Sequence, residues 1–132
     1  MPPPTRPSIA QVLLHGTTLS RARKIVQDQA FNATAPLFVV IRKHRDLAVW
    51  FARRKAQQEH DSPAIVVVSI DEKAFERIRR DGHALLIPFD ENDDPTLRSR
   101  NQWRLSILGI QALNRQLEEI TSERVTDPSP AA

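Results

Sequence analysis

The chain has 132 residues, 40% of them hydrophobic and 27% charged, with 19 Lys and Arg against 16 Asp and Glu for a formal charge of +3. That length fits one domain with a modest core and leaves no room for a second, and the composition is too apolar for a wholly disordered chain. The absence of cysteine excludes disulfides, thiolate nucleophiles and cysteine-ligated zinc. The positive surplus is small and diluted by interspersed acids, so it permits an anionic partner without pointing to nucleic acid.

No apolar run approaches the length of a membrane span, and the proline-rich residues 1–7 lack the apolar stretch of a secretory signal, so a cytoplasmic location is the expectation. Ile9 to Leu14 reads as a short strand ending at His15 before Gly16. Thr17 or Thr18 caps the following helix, whose apolar stripe is Leu19, Ala22, Ile25 and Val26, and which stops near Gln29 or Ala30. Leu37 to Ile41 is a second strand. Asp46 is the expected cap of a helix through Gln58 that turns Leu47, Ala48, Trp50, Phe51 and Ala52 inward.

Ala64 to Ile70 is the clearest strand, and its near-continuous apolarity predicts burial on both faces in a central position. Asp71 caps a short helix carrying Ala74, Phe75 and Ile78, which Gly82 ends. A strand from His83 to Phe89, an exposed loop from Asp90 to Arg100 and a short strand from Gln102 to Leu105 follow. Ser106 then caps a last helix through Ile120, with Leu105 and Ile110 placed as a hydrophobic staple. The whole predicts a compact α+β domain over residues 8–121, a mixed sheet of about five strands with about four helices, and flexible arms at 1–7 and 122–132. Neither a dinucleotide-binding glycine turn nor a phosphate-binding Walker loop is present.

Chemistry centres first on Leu14-His15-Gly16-Thr17-Thr18. A histidine leaving a strand beside a glycine and a helix start can face a cleft, while the glycine lets a ligand approach the backbone. Strand alternation places Gln102 and Arg104 on one face and Trp103 on the other. No His, Asp or Glu cluster has metal-ligand spacing, and no metal is expected. Arg42, His44, Arg45, Arg53 and Arg54 form a dense basic stretch suited to phosphate or to a solvated helix face.

Taken in order, His15-Gly16-Thr17, the helix with Ala22 and Ile25, Leu37-Phe38-Val39-Val40, the Leu47-Ala48 and Phe51-Ala52 pairs, the Ala64 to Ile70 strand and Asn101-Gln102-Trp103-Arg104-Leu105 resemble the ADP-ribosyltransferase superfamily, in its histidine-tyrosine-glutamate branch. The resemblance covers most of residues 11 to 117. It implies NAD as co-substrate, with no metal, held by His15, Gly16 and Thr17. Phe38 stands for the stacking tyrosine, Gln102 for the catalytic glutamate, and Arg104 is a candidate for the pyrophosphate. Phe38 keeps the ring and loses the hydroxyl. Gln102 keeps hydrogen bonding and loses the negative charge that favours an oxocarbenium-like transition state; Glu91, Asp93 and Asp94 lie just upstream as other sources of a carboxylate.

The implied activity is mono-ADP-ribosylation of a protein or nucleic acid acceptor, as in a compact toxin or effector, with His15, Phe38 and Gln102 as the catalytic set. Two alternatives stand beside it. One is a catalytically inactive module of the same fold that binds a protein or nucleic acid. The other is an RNA 2′-phosphotransferase-like enzyme, in which Arg45 or Arg53 converges with His15 on an anion.

Overall fold

The computed structural model describes residues 9–89 and 94–126. Its elements run β1 (Ala10–Thr18), α1 (Leu19–Asp28), β2 (Leu37–Ile41), α2 (Arg45–Glu59), β3 (Pro63–Asp71), α3 (Glu72–Arg80), β4 (Ala84–Pro88), β5 (Asn101–Leu105), α4 (Ile107–Gln116) and β6 (Leu117–Arg124). The strands form one open sheet in the order β4-β5-β2-β1-β3-β6, and each neighbouring pair is antiparallel. The α+β class is as expected; the sheet has six strands where about five of mixed direction were expected.

Local chemistry explains most element ends. The Thr18 hydroxyl accepts the Arg21 amide at the start of α1, an Asp71 carboxylate oxygen accepts that of Ala74 in α3, and the Ser106 hydroxyl accepts that of Gly109 in α4. Gly82, at φ 78°, supplies the left-handed turn after α3. Leu105 and Ile110 flank the α4 cap and are both fully buried, as a staple requires.

Three expectations are corrected. β1 does not end at His15 but continues to Thr18, because β3 offers it a backbone partner as far as Pro63. Asp46 does not cap α2: a single 3-10 turn over Arg42–His44 leads into the helix, His44 occupies the cap position, and Asp46 lies in the first turn paired with Arg100 at 2.8 Å. The last helix stops at Gln116, and Leu117–Arg124 pairs along β3, so Ser122 to Arg124 belong to the sheet and not to an arm. The arms' remaining residues, 1–7 and 127–132, lie outside the described residues, as do Asp90 to Asp93 of the expected loop.

Helices cover both faces of the sheet. One core joins Leu13, Val39, Val66 and Val68 to Ala22 of α1, Phe75 and Ile78 of α3 and Ile110 and Leu113 of α4. The other joins Leu14, Val40 and Ile65 to Leu47, Ala48 and Val49 of α2. β3 feeds alternate residues to each, which is why its sequence is almost wholly apolar; it is flanked by β1 and β6, one place in from the edge. No helix among the described residues is long and apolar enough to cross a membrane.

The contact of β1 with α2 is unusually close at Gly16. A Cβ built there meets the Ala48 carbonyl oxygen at 2.1 Å and the Ala52 amide nitrogen at 2.8 Å. Both are backbone atoms, so relief requires the helix to move. Ala48, Ala52 and Ala56, spaced one turn apart and all buried, keep the helix surface low enough for the strand. Gly16→Ala is expected to lower unfolding stability by about 3 kcal/mol, through overpacking, as read in a urea titration; a change below about 0.5 kcal/mol would mean that β1 and α2 are not in this contact.

Candidate functional site

The ladder between β1 and β2 is short. It includes Leu13–Ile41 and Leu14–Val40, beyond which β1 stays with β3 while β2 turns to β5 through Leu37–Leu105, Phe38–Arg104 and Val39–Trp103. The two halves of the sheet therefore part immediately after Leu14. His15 stands at that parting, and its Nδ1 lies 2.8 Å from the Phe38 carbonyl oxygen. A carbonyl only accepts, so Nδ1 carries the proton, and in the neutral ring Nε2 is left with its lone pair. The ring also meets Phe31 edge to face, at 5.7 Å between centroids.

A pocket of about 120 Å³ opens at this point, lined by His15, Gly16, Phe38 and Gln102, by Leu14, Val40, Ala48 and Phe51, and by Lys55. Four of the residues picked out in the sequence thus come together from three strands. Phe38 is 39% exposed and offers a ring to stack on. Gln102 is the reverse case: only 9% exposed, with its Oε1 buried and lacking a hydrogen-bond partner among the described residues. Leaving such an atom unpaired costs on the order of 1–3 kcal/mol, and a ligand N–H or O–H is one way to recover it.

Two larger concavities adjoin the pocket. One, of about 450 Å³, shares His15 and Lys55 and adds Thr17, Arg21 and Lys24 with the segment Phe31 to Leu37. The other, of about 460 Å³, shares Phe51, Lys55 and Gln102 and adds Trp50, Arg54 and Phe89. Trp50, Phe51 and Phe89 pack edge to face at 5.0–6.1 Å, and the Arg54 guanidinium lies over Trp50 at 5.1 Å.

Compared with known proteins, the chain matches no family model, no curated protein and no solved structure.

Other singled-out residues fall elsewhere. Arg104 shares the sheet face of Phe38 and Gln102 and sits opposite Phe38 in register, but it is exposed and lines none of these three concavities. Trp103 points to the opposite face, as alternation predicts, and packs on Phe75 at 5.7 Å, so it does not plug the pocket. Arg45 reaches Glu123 at 3.3 Å, and neither it nor Arg53 lines a concavity with His15. Asp94 accepts from the Thr96 amide and hydroxyl; Glu91 and Asp93 lie outside the described residues. Among the described residues no group of His, Asp or Glu could hold a metal.

The residue that sequence reasoning missed is Lys55, which borders all three concavities. Its signal was positional: Ala48, Ala52 and Lys55 stand at i, i+4 and i+7, on the side of α2 that faces the sheet. Three effects hold the His15 pKa below its ordinary value of 6.5. Desolvation is the largest, Lys55 and Arg21 add to it as nearby cations, and the bond to Phe38 opposes them. The arrangement is a trough with an unprotonated imidazole nitrogen, a stacking ring, an unpaired amide oxygen and a cation at its centre. No carboxylate is among its described lining residues.

A histidine whose native pKa is lowered binds fewer protons folded than unfolded, so His15 makes stability rise with pH from its native pKa up to about 6.5 and level off above. Urea midpoints of wild type and His15→Gln across pH 5–7.5 should show the slope in the first and a flatter line in the second. Equal slopes would contradict the assignment. Asp46, lowered chiefly by its hydrogen bond to Arg100, acts in a separate window, losing its contribution only as pH falls below about 4.

Proposed function

We propose that the protein binds NAD in this trough and transfers its ADP-ribose to a macromolecular acceptor. The observation that carries the reading is the gathering of His15, Gly16, Phe38 and Gln102, the residues behind the family resemblance, around one pocket. That pocket is small beside the roughly 300–1,000 Å³ of typical ligand sites, so it suits a single ring such as nicotinamide and not a whole dinucleotide. The adjoining concavity with Arg21, Lys24 and Lys55 has the size and charge for the rest of the molecule. Arg21 and Lys24 are engaged by Glu59 and Asp28 in surface ion pairs, which are weak enough to yield to a pyrophosphate.

In the transfer, the bond between ribose C1′ and the nicotinamide nitrogen breaks, and its electron pair leaves with neutral nicotinamide. The acceptor nucleophile bonds to C1′ and gives up its proton to solvent. Phe38 stacks on the departing ring, Gln102 Oε1 accepts a hydrogen bond from the ligand, and His15 Nε2 accepts another. Gln102 contributes no charge to the developing cation, so turnover is expected to be slow.

The lack of a carboxylate among the described lining residues favours a second reading, a binding module of the same architecture that holds the nucleotide without turnover. The phosphotransferase alternative has less support, because neither Arg45 nor Arg53 lines the pocket at His15 or the adjoining concavity that shares it.

Calorimetric titration with NAD is expected to give saturable binding to wild type, weakened about tenfold or more in His15→Ala, a loss of at least ~1.4 kcal/mol. Folded wild-type protein that shows no saturable heat would overturn the NAD reading. Gln102→Glu restores a charge and is expected to raise the rate of nicotinamide release by about tenfold or more. Undiminished binding with no release in either protein would instead favour the binding module.

A further inference from the structure

The opposite face of β5 carries a second concavity, of about 330 Å³, that the trough does not use. Its centre is Arg79 of α3, whose guanidinium lies over both Phe75, at 5.4 Å, and Trp103, at 5.2 Å. The two rings stand perpendicular to each other. Rings at right angles cannot both lie parallel to one planar guanidinium, so Arg79 meets at most one of them face on, and its N–H groups project in the guanidinium plane. Among the described residues the Arg79 guanidinium makes no ion pair within 4.0 Å and no hydrogen bond, whereas Arg80 beside it pairs with Glu76 at 2.9 Å; Glu76 feels Arg79 only as a nearby charge.

The other polar residues lining this site are His44, Asn101 and Gln11. Nδ1 of His44 lies 3.2 Å from the backbone nitrogen of Asn101 and 3.3 Å from its carbonyl oxygen, so this ring nitrogen is engaged with the β5 backbone. The Asn101 side-chain amide has no partner among the described residues, and the Gln11 amide makes only a long 3.4 Å bond to the neighbouring carbonyl of Val12. No Asp or Glu lines the concavity, and Ile41 and Leu86 complete it with apolar surface. An exposed cation over aromatic rings, side-chain amides of Asn101 and Gln11 that can donate, and the absence of an acid among the described lining residues suit a ligand with negatively charged oxygen acceptors on a flat apolar body.

We propose that the Arg79 concavity is a second binding site, for a small aromatic or otherwise flat anion whose carboxylate or phosphate meets the edge of Arg79 while its body lies against Trp103 and Leu86. The site is separate from the NAD trough, because Trp103 and Gln102 leave β5 on opposite faces, and it does not depend on the function proposed for that trough.

The test uses the full chain labelled with nitrogen-15, titrated at fixed ionic strength with benzoate and, separately, with phenyl phosphate, while the indole N–H resonances of Trp103 and Trp50 are followed. A saturable shift of Trp103, with Trp50 unmoved, is expected for at least one probe, and whichever binds more tightly separates a carboxylate site from a phosphate site. Arg79→Gln should weaken that binding at least tenfold. Arg79→Lys, which keeps the charge but not the planar fork, should weaken it several-fold. Arg79 is exposed at the surface of α3, so both variants are expected to keep a dispersed spectrum. No saturable shift of Trp103 with either probe, or a shift that Arg79→Gln leaves unchanged, would overturn the proposal.

Discussion

The hydrogen bond from His15 Nδ1 to the Phe38 carbonyl holds the structure at the point where its sheet comes apart. β1 and β2 stop pairing after Leu14 and Val40, and backbone groups that leave a ladder must find other partners or face water. A side chain takes up one of them. That bond spans the parting, places the imidazole proton on Nδ1 and leaves Nε2 as an acceptor. Desolvation and the nearby charges of Lys55 and Arg21 keep the ring neutral, so the acceptor persists at neutral pH.

The rest of the site depends on this parting. Gly16 lets β1 press on the backbone of α2, and the alanine stripe of that helix accepts it, so Lys55 arrives one turn further on at the pocket mouth. β5, paired to the diverging β2, brings Gln102 in from the far side. Its unpaired Oε1 is a local cost that a packed core has no reason to keep, and sites of this kind are where folds carry binding. Cations line the trough, its unpaired acceptors sit in the pocket between β1 and β5, and nearby carboxylates pair outside it, as Glu59 does with Arg21 and Asp46 with Arg100.

Much of this was legible in the sequence where the determining chemistry is local. Thr18, Asp71 and Ser106 were readable as caps because a side-chain oxygen meets an amide three residues on. Alternation placed Gln102 and Trp103 on opposite faces, and the apolar run of β3 foretold a strand buried on both sides. β6 was hidden because Leu113, Leu117 and Ile120 fit a helical period, while the strand's actual partner, β3, is remote in sequence. The same non-local pairing carries β1 past His15. Lys55 was not legible because alternation along β5 gives a face but not the place where α2 crosses it. The cap at His44 depends on a 3-10 turn that no single residue announces.

The claim on which the account rests is the protonation of one ring. Long-range proton–nitrogen NMR of the histidine side chains, with His15 assigned by its loss in His15→Gln, reads this directly at pH 7. The account predicts a neutral His15 ring with the proton on Nδ1 and an unprotonated Nε2. A ring protonated on Nε2 alone would contradict it, because the parting of β1 and β2 would then lack the bond that spans it, and an imidazolium at that pH would contradict it by leaving Nε2 without a lone pair to accept with.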